Sequence, residues 1–342
     1  MKAMIMNNIS DLNKNTTPLN FVDLPIPKPG KHEVLLKVKA CGVCHTEIDE
    51  VEGRTPPPKF PVIPGHEVVG IIEEMGTGVT KFKIGERVGV GWIYSSCLKC
   101  QYWKSENENL CDNFVATGRD VNGGYAEYRV VNENCVFKIP EKYSDAEAAP
   151  LLCAGAIGYR SLNLTNLRNG ENLGLTGFGA SAHLVLKMVK YIFPETDIYV
   201  FARNKKERKF SQQLGAVWAG DTEEFSPQKL HAIIDTTPVW KPVVEAMKNL
   251  TAGSRLVVNA VRKEDIDKDY LLGLSYTRDL WMEKEIKSVA NVARSDLEGF
   301  LEIAAKMSLK PEIQKYSLKD ANKALTELKA GGVRGAKVLM MG

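Results

Sequence analysis

Two short stretches of the chain carry side chains suited to binding a metal ion. Residues 41–47 read Cys-Gly-Val-Cys-His-Thr-Glu, residues 65–67 read Gly-His-Glu, and Cys153 follows much later. Two thiolates and one imidazole form the ligand set of a catalytic zinc ion whose fourth position stays open for water or substrate. By itself, a Cys-x-x-Cys pair with one histidine is also typical of a thioredoxin-like motif or a structural zinc site.

The residues that follow His66 separate these possibilities. The motif continues through Gly70 and Gly76 to Val79. This arrangement resembles the zinc-dependent alcohol dehydrogenases of the medium-chain dehydrogenase/reductase family, and the order of motifs extends the resemblance over nearly the whole chain. It implies a catalytic zinc held by Cys44, His66 and Cys153. We interpret the nearby Cys41 as a small, buried apolar side chain.

The same resemblance implies roles for four polar side chains near the ligands. Glu47 would hydrogen-bond the liganding histidine, and Glu67 would approach the metal transiently. Thr46 would take the proton from the bound alcohol. In many relatives a histidine at the position of Asp49 ends this proton relay. Either the Asp49 carboxylate, a weaker base than histidine, or water therefore completes the relay here.

A second cysteine group consists of Cys97, Cys100 and Cys111. The family's structural zinc uses four cysteines in Cys-x2-Cys-x2-Cys-x7-Cys spacing, but Trp103 stands at the third position, and indole cannot bind zinc. Either the three thiolates and a fourth ligand from elsewhere bind a zinc ion, or the lobe formed by residues 95–113 stays folded without a metal. We expect this incomplete structural site to be empty or weakly occupied. A zinc ribbon for nucleic acid is a poor alternative, because no basic face accompanies the cysteines.

Composition limits the class of protein and its partners. The chain has 342 residues, with 45 basic and 42 acidic side chains and a net charge of +3. The length favours two domains, and the charge balance gives no reason to expect nucleic acid or a membrane surface as partner. The odd count of seven cysteines favours free thiols and metal ligands over disulfides. We therefore expect a cytoplasmic protein without a membrane span.

The elements that must position these residues change character near residue 150. Before it, short strands between Gly and Pro turns predict a β-barrel-like domain, with strands at 33–39, 68–72, 87–90 and 125–131. A helix is predicted at 146–159. Strands then alternate with helices, which predicts a parallel, doubly wound sheet. Its strands are predicted at 173–176, 198–201, 232–235 and 255–259, and its helices at 181–191, 205–214 and about 239–250.

The fold class is therefore α/β. The resemblance implies a GroES-like β-barrel catalytic domain built from residues 1–153 and 290–342. A predicted strand at 337–340 would return the chain to that domain. Residues 154–289 would form a Rossmann dinucleotide-binding domain with a doubly wound parallel sheet.

A glycine-rich loop, residues 177–182, follows a predicted strand and opens a predicted helix. In this context the G-x-G-x-x-A pattern indicates dinucleotide binding, because glycines admit the pyrophosphate and the helix N-terminus stabilises its charge. We predict that the cofactor-binding residues are Gly177, Gly179, Ala180 and Ser181, together with His45 beside the zinc ligand Cys44.

The end of the second strand of this domain bears on the choice of cofactor. Ala202 stands where NAD enzymes need a carboxylate for the ribose 2′-hydroxyl, and Arg203 follows it. No acid repels a 2′-phosphate there, and a guanidinium can clamp one. We therefore expect Zn²⁺ with NADP(H) or NAD(H), and favour NADP(H). A plain surface role for Arg203 in an NAD(H) enzyme stays open.

These inferences converge on a zinc-dependent alcohol dehydrogenase or aldehyde reductase. Its partner would be a small-molecule alcohol or aldehyde, and the resemblance implies a homodimer or homotetramer. Two alternatives stay open. One is a quinone or enone reductase of the zinc-free branch of the same superfamily, and the other is a non-catalytic zinc-binding relative.

Overall fold

A computed structural model describes residues 1–331 and 335–342 of the chain. Its strands are β1 (Lys2–Met6), β2 (Leu19–Asp23), β3 (Glu33–Val43), β4 (Val68–Met75), β5 (Arg87–Val90), β6 (Ile93–Ser95), β7 (Val115–Ala116), β8 (Tyr128–Asn132), β9 (Phe137–Lys138), β10 (Leu173–Thr176), β11 (Ile198–Phe201), β12 (Trp218–Gly220), β13 (Leu230–Asp235), β14 (Leu250–Val258), β15 (Glu285–Ser288), β16 (Ile313–Ser317) and β17 (Ala336–Met340). Its α-helices are α1 (His45–Val51), α2 (Gln101–Lys104), α3 (Asp145–Ala148), α4 (Ala154–Thr165), α5 (Ala180–Ile192), α6 (Lys205–Gln213), α7 (Lys241–Met247), α8 (Arg294–Lys306) and α9 (Ala321–Ala330).

The chain divides into two compact units. The first contains Met1–Cys153, Ala293–Ala305 and Lys310–Gly342, and the second contains Ala154–Val292 and Lys306–Leu309. The sequence resemblance places the return to the first domain at residue 290, close to the boundary at Ala293. Within the described ranges, no helix is both long enough and apolar enough to cross a membrane.

The long strand β3 organises the sheet of the first unit. The strand order is β16-β17-β3-β4-β5-β9, and β8 also pairs with β3. Strand β4 pairs antiparallel along most of β3, while β8 pairs with residues 33–37 and β17 with residues 40–43 of the same strand. Residues 34–36, 38 and 40–43 of β3 are buried, so both faces of this central strand are largely covered. The C-terminal strand therefore joins this sheet, and its predicted span of 337–340 is confirmed to within one residue.

The second unit contains a parallel sheet in the order β12-β11-β10-β13-β14-β15. Every residue of β10 and β11 is buried, as expected for central strands covered on both faces. The chain leaves β10 toward β11 and later returns to its other side with β13. Ligands of such sheets bind at this switch point, beyond the carboxyl end of the strand. The prediction of a doubly wound parallel sheet is confirmed.

The single helix predicted at 146–159 is wrong. The structure has α3, a 3-10 turn at Ala149–Leu152, and then α4. Pro150 lies in this turn, where it lacks an N–H donor and its ring opposes a continuous α-helix. Cys153 follows with a non-helical backbone, φ −131° and ψ −76°. The break therefore frees the predicted third ligand from the surface of a regular helix.

The strand predicted at 125–131 begins only at Tyr128. The preceding residues bond to the loop before His66 instead: the Gly123 N–H donates to the Ile63 carbonyl at 2.6 Å and the Tyr125 N–H to the Pro64 carbonyl at 3.0 Å. These bonds hold the loop that carries His66 against residues 123–125.

Candidate active site

The junction between β3 and α1 places the first predicted ligand. Strand β3 ends at Val43, and Cys44 is the N-cap residue of α1 with an extended backbone. The Cys44 N–H donates to Glu47 Oε2 at 2.8 Å, which satisfies a donor that would otherwise be unpaired at the helix start. This bond fixes the Glu47 carboxylate, whose other oxygen bonds a second group.

Four side chains of the first unit bring ligand atoms together. Cys44, His66, Glu67 and Cys153 each place one such atom within 4.8 Å of those of the other three. The two sulfurs belong to residues 109 positions apart in sequence and lie 3.9 Å from each other. Two thiolates on a tetrahedral zinc, each about 2.3 Å from the ion, lie roughly 3.8 Å apart. The three predicted ligands thus meet at a spacing that suits zinc, with Glu67 beside them.

Glu47 orients the ring of His66. The histidine is 1% exposed, and its Nδ1 lies 2.5 Å from Glu47 Oε1. An ionised carboxylate only accepts hydrogen bonds, so we assign the proton to Nδ1 and the free lone pair to Nε2. Nε2 is buried and has no hydrogen-bond partner in the described ranges. Buried polar atoms are almost always satisfied, so this nitrogen beside two thiols fits a metal ligand.

Burial and close contact shift the ionisation of this cluster. The hydrogen bond between the two thiols lowers the pKa of Cys44 well below its usual value and raises the pKa of Cys153. Burial raises the pKa of Glu67 well above its usual range. Burial disfavours a charged His66, yet the adjacent Glu47 carboxylate raises its pKa overall. Metal binding requires these groups to lose their protons, and a divalent cation among them would favour the deprotonated forms.

Two glycines keep room for this cluster. A Cβ on Gly42 would lie 1.6 Å from Glu67 Oε2. Gly65 has φ +98°, and a Cβ there would lie 2.3 Å from the ring of Tyr125. Cys41 is fully buried in the hydrophobic core and is absent from the ligand cluster found in the described residues. Its interpretation as a small apolar side chain is confirmed.

The Gly42→Ala variant is expected to bind zinc about 10- to 100-fold more weakly, the range seen when groups around metal ligands are disturbed. The added methyl group must displace the buried Glu67 side chain next to Cys44. Competition with a chromophoric chelator measures the affinity. Gly91→Ala is the matched control, because its Cβ would meet its nearest neighbours at 3.5 and 3.6 Å. Wild-type affinity in Gly42→Ala would contradict the role given to this glycine.

The remaining predicted residues of this stretch lie on α1. Thr46 is half-buried, and its Oγ1 lies 3.6 Å from Cys44 Sγ. His45 is exposed. Asp49 Oδ1 accepts a hydrogen bond from Arg54 Nε at 2.5 Å. The structure thus places Thr46 beside the ligand cluster. The Asp49 carboxylate instead forms an ion pair with Arg54.

The second cysteine group also comes together. One sulfur from each of Cys97, Cys100 and Cys111 lies within 4.8 Å of the other two. The Cys100 N–H donates to Cys97 Sγ at 3.3 Å, and the Trp103 N–H donates to Cys100 Sγ at 3.4 Å. The backbone N–H of Lys99, followed by the Cys100 thiol, lowers the pKa of Cys97 to about 7. The structure therefore brings three sulfurs together, while Trp103 stands at the position of the family's third cysteine.

The predicted cofactor loop follows β10 in the second unit. Gly177 has φ +73°, and a Cβ there would lie 3.0 Å from Thr236 Oγ1. Gly179 is the N-cap of the 13-residue α5, where a Cβ would meet nothing within 4 Å. Ala180 begins the helix, and no side chain caps it. Its first N–H groups can therefore bind a phosphate group that approaches the glycines closely.

Ser181 was predicted to bind the cofactor, but its side chain bonds other groups of the protein. Its hydroxyl donates to the Ala154 carbonyl at 3.2 Å and lies 3.5 Å from Asn259 Nδ2. These contacts engage the side chain within the second unit. Its backbone N–H is what remains for a phosphate group.

The end of β11 holds the residues predicted to choose the cofactor. Ala202 is buried and Arg203 is exposed. The structure adds Arg208, which the sequence reasoning missed. Its Nη1 donates to the Ala202 carbonyl at 3.2 Å and lies 3.1 Å from Asp221 Oδ2. An acid therefore does lie near this strand end, but it follows the neighbouring strand β12 and is paired with Arg208.

A buried ion pair behind the cofactor loop was also missed. Asp235, the last residue of β13, pairs with Lys263, and their side chains are 0% and 6% exposed. Asp235 Oδ1 accepts hydrogen bonds from the hydroxyls of Thr176 at 2.5 Å and Thr237 at 2.7 Å. The lysine also donates to the Thr237 carbonyl at 2.7 Å. The pair thus ties the ends of two central strands to the segment that Gly177 packs against.

Comparison with known proteins agrees with this architecture. Residues 30–141 match the alcohol dehydrogenase GroES-like domain. The probable alcohol dehydrogenase AdhA of Mycobacterium tuberculosis is 39% identical over 96% of this chain and 94% of its own. An alcohol dehydrogenase of Geobacillus stearothermophilus is 31% identical over 100% and 99%. The crystal structure of CAD from Helicobacter pylori complexed with NADP(H) superposes with a TM-score of 0.84 at 26% identity, over 99% of this chain and 97% of that one.

The fold thus defines a two-domain dehydrogenase with a GroES-like domain and a Rossmann domain. The chain belongs to the NAD(P)-dependent alcohol dehydrogenases of the medium-chain dehydrogenase/reductase family. The fold class and enzyme class predicted from the sequence are confirmed.

Proposed function

We propose that this protein interconverts small alcohols and aldehydes with a zinc ion held by Cys44, His66 and Cys153, and that it prefers NADP(H). The observation that carries the metal assignment is the buried, unpartnered Nε2 of His66 beside two sulfurs 3.9 Å apart. A reductase of the zinc-free branch would have no use for this donor set. A non-catalytic zinc protein would not need Thr46 beside a ligand.

The protein side chains have distinct parts in this reaction. When bound, zinc supplies a Lewis acid that polarises the substrate oxygen. Glu47 holds the His66 ring in the tautomer that leaves Nε2 free, and Glu67 offers a further oxygen donor. Thr46 accepts the hydroxyl proton of the alcohol. Because Arg54 engages Asp49, we propose that water rather than this carboxylate carries the proton onward.

The Rossmann unit supplies the site for the dinucleotide, which accepts or delivers the hydride. Backbone N–H groups at the start of α5 bind the pyrophosphate, and Gly177 and Gly179 allow its approach. Arg203 is exposed at the end of β11, next to the first residues of α6. Lys205 and Lys206, also exposed, add positive charge there. This group suits the 2′-phosphate of NADP(H).

Metal analysis and turnover test the proposal together. We expect at least one zinc per chain after desalting, and reduction of NADP⁺ that depends on an added alcohol. A panel of aliphatic and aromatic alcohols would identify the substrate. Activity that survives complete zinc removal would favour the zinc-free class. Tightly held zinc without turnover on any alcohol or aldehyde would favour the non-catalytic alternative.

Cofactor preference is expected to follow Ala202 and Arg203. Wild-type kcat/KM should be higher with NADPH than with NADH. The double change Ala202→Asp with Arg203→Ala should move the preference toward NADH, because aspartate bonds the ribose hydroxyl and repels a phosphate. A charge-assisted hydrogen bond is worth roughly 1.5–3 kcal/mol, so the ratio should change on the order of 10- to 100-fold.

Steady-state kinetics with both cofactors measures this ratio. Lys209→Ala, an exposed change on the same helix α6, serves as the control and should leave the ratio near that of the wild type. A wild-type preference for NADH would overturn the assignment of NADP(H) while leaving the zinc assignment untouched.

Two further properties rest on weaker features of the chain. The seven cysteines are all free, which favours a reducing compartment such as the cytoplasm. The family resemblance favours a homodimer or homotetramer, and analytical ultracentrifugation of the purified protein measures which one forms.

A further inference from the structure

The lobe formed by residues 95–113 does not fit the four-cysteine zinc site that the family implies. Cys97, Cys100 and Cys111 converge, and the described part of the chain offers no fourth His, Cys, Asp or Glu donor to this group. Trp103 stands where the fourth sulfur would come from, and its indole has no lone pair for a metal. Structural zinc sites are almost always closed by four protein ligands. The donor set therefore departs from a structural zinc site.

Contacts within the protein replace part of what a structural metal would do. The guanidinium of Arg294, at the start of α8, lies 4.4 Å from the centre of the Trp103 ring. The backbone N–H of Arg294 donates to Glu108 Oε1 at 2.6 Å, and the side-chain Nε of Arg294 lies 3.3 Å from the same oxygen. Glu108 is almost fully buried, and its carbonyl accepts the Cys111 N–H at 3.0 Å. Trp103 and the turn that presents Cys111 are thus tied to α8 without a metal ion.

The three sulfurs are nevertheless arranged for binding. The N–H groups of Cys100 and Trp103 donate to the sulfurs of Cys97 and Cys100, which stabilises negative charge on them. Cys97 and Cys100 are half-buried, and the two residues between them are exposed. Solvent therefore reaches one side of the group and gives an ion a path of entry.

We propose that Cys97, Cys100 and Cys111 form a three-sulfur site for a soft monovalent cation of the Cu(I) class rather than for zinc. Thiolates are soft ligands that select such ions. Cu(I) is satisfied by three sulfurs, whereas zinc here would need water as its fourth ligand. A zinc site with an exchangeable water is open and lacks the fourth thiolate that holds a structural zinc tightly. Because the contacts of Arg294 support the lobe, the ion can come and go without unfolding it.

The test uses the purified, zinc-containing full chain under anaerobic, reducing conditions. Cu(I) is supplied as its bicinchoninate complex, and transfer to the protein is followed by loss of the complex's colour. We expect uptake of one equivalent of Cu(I) per chain, quenching of tryptophan fluorescence through the adjacent Trp103, and no release of zinc. Zinc release equal to the copper taken up would overturn the proposal, because copper would then occupy the Cys44 site.

Matched variants locate the site. Cys97→Ser and Cys111→Ser should each weaken Cu(I) binding by more than about 100-fold, since a lost ligand costs more than a disturbed neighbour. Cys135→Ser is the control, because its buried thiol bonds the Tyr94 carbonyl outside the three-sulfur group. Cys111 is buried, so its replacement could disturb folding. Cys97 is only half-buried, and Cys97→Ser therefore tests the loss of a ligand with less risk to the fold. Unchanged copper affinity in both variants would overturn the proposal.

A variant that supplies the fourth cysteine should favour zinc over Cu(I) at this site. Trp103→Cys should bind a second zinc that survives desalting, whereas wild type should retain only the zinc of the Cys44 site. Trp103→Phe should keep the copper affinity and lose most of the quenching. A wild-type protein that retains two zinc ions as firmly as Trp103→Cys would overturn the proposed selectivity for a soft ion.

Discussion

The Cys44→Ser variant is expected to lose its zinc and at least about a thousandfold of its alcohol dehydrogenase activity. A serine hydroxyl stays protonated near neutral pH and is therefore a much weaker zinc ligand than a thiolate. Loss of the Lewis acid removes several kcal/mol of charge stabilisation, and each 1.4 kcal/mol corresponds to about tenfold in rate. NADPH binding should persist, because the loop that begins at Gly177 belongs to the other unit. Zinc per chain, kcat/KM and NADPH affinity are the three measurements.

Two neighbouring changes make this result specific. Cys41→Ser alters the other thiol of the Cys-x-x-Cys pair, which lies in the core, and should keep its zinc and most of its activity. Glu47→Gln keeps the shape of the group that bonds His66 but removes its charge. It should weaken zinc binding by about 10- to 100-fold, less than loss of a ligand. Full activity of Cys44→Ser after treatment with a chelator would refute the metal assignment.

The residues near the zinc site could be predicted because their constraints are local. The strand was predicted at 33–39 and continues to Val43, and the cap at Cys44 with its bond to Glu47 involves a few consecutive residues. Gly42 and Gly65 belong to the same motif, and the structure shows that each leaves space that a side chain would fill. The parallel sheet was equally accessible, because its buried strands are continuous apolar runs between helices.

Features that depend on residues far apart in the chain were harder to predict from the sequence. Cys153 lies 109 positions from Cys44, so only the family resemblance could assign it to the same site. The helix break that positions it was missed, because the small residues of 146–159 favour a helix and outweighed Pro150 in the prediction. The tie between Trp103 and Arg294 joins residues with no shared pattern. Neither the proximity of Cys44 to Cys153 nor the contact between Trp103 and Arg294 leaves a periodic signal in the sequence.

The Lys263→Met variant is expected to destabilise the second unit by about 3–5 kcal/mol, the cost of leaving one member of a buried ion pair alone. Lys263 donates to Asp235 and also to the carbonyls of Thr237 at 2.7 Å and Val239 at 2.9 Å. Methionine fills similar space but donates nothing, so the Asp235 carboxylate stays buried without a cation, with two hydroxyl donors and the Thr237 N–H as its partners. Urea unfolding followed by the fluorescence of Trp218, Trp240 and Trp281, which all lie in this unit, measures the loss.

Two comparisons distinguish this ion pair from ordinary surface charge. Lys268→Met removes a pair whose side chains are 63% and 85% exposed, and it should cost less than about 1 kcal/mol. The double change Asp235→Asn with Lys263→Met removes both charges and should be more stable than Lys263→Met alone, because no unpaired charge stays buried. NADPH affinity should fall in Lys263→Met, since Gly177 packs against the segment at Thr236. Equal stability of the Lys263→Met and Lys268→Met proteins would show that solvent compensates Asp235 and that the pair does not hold the loop.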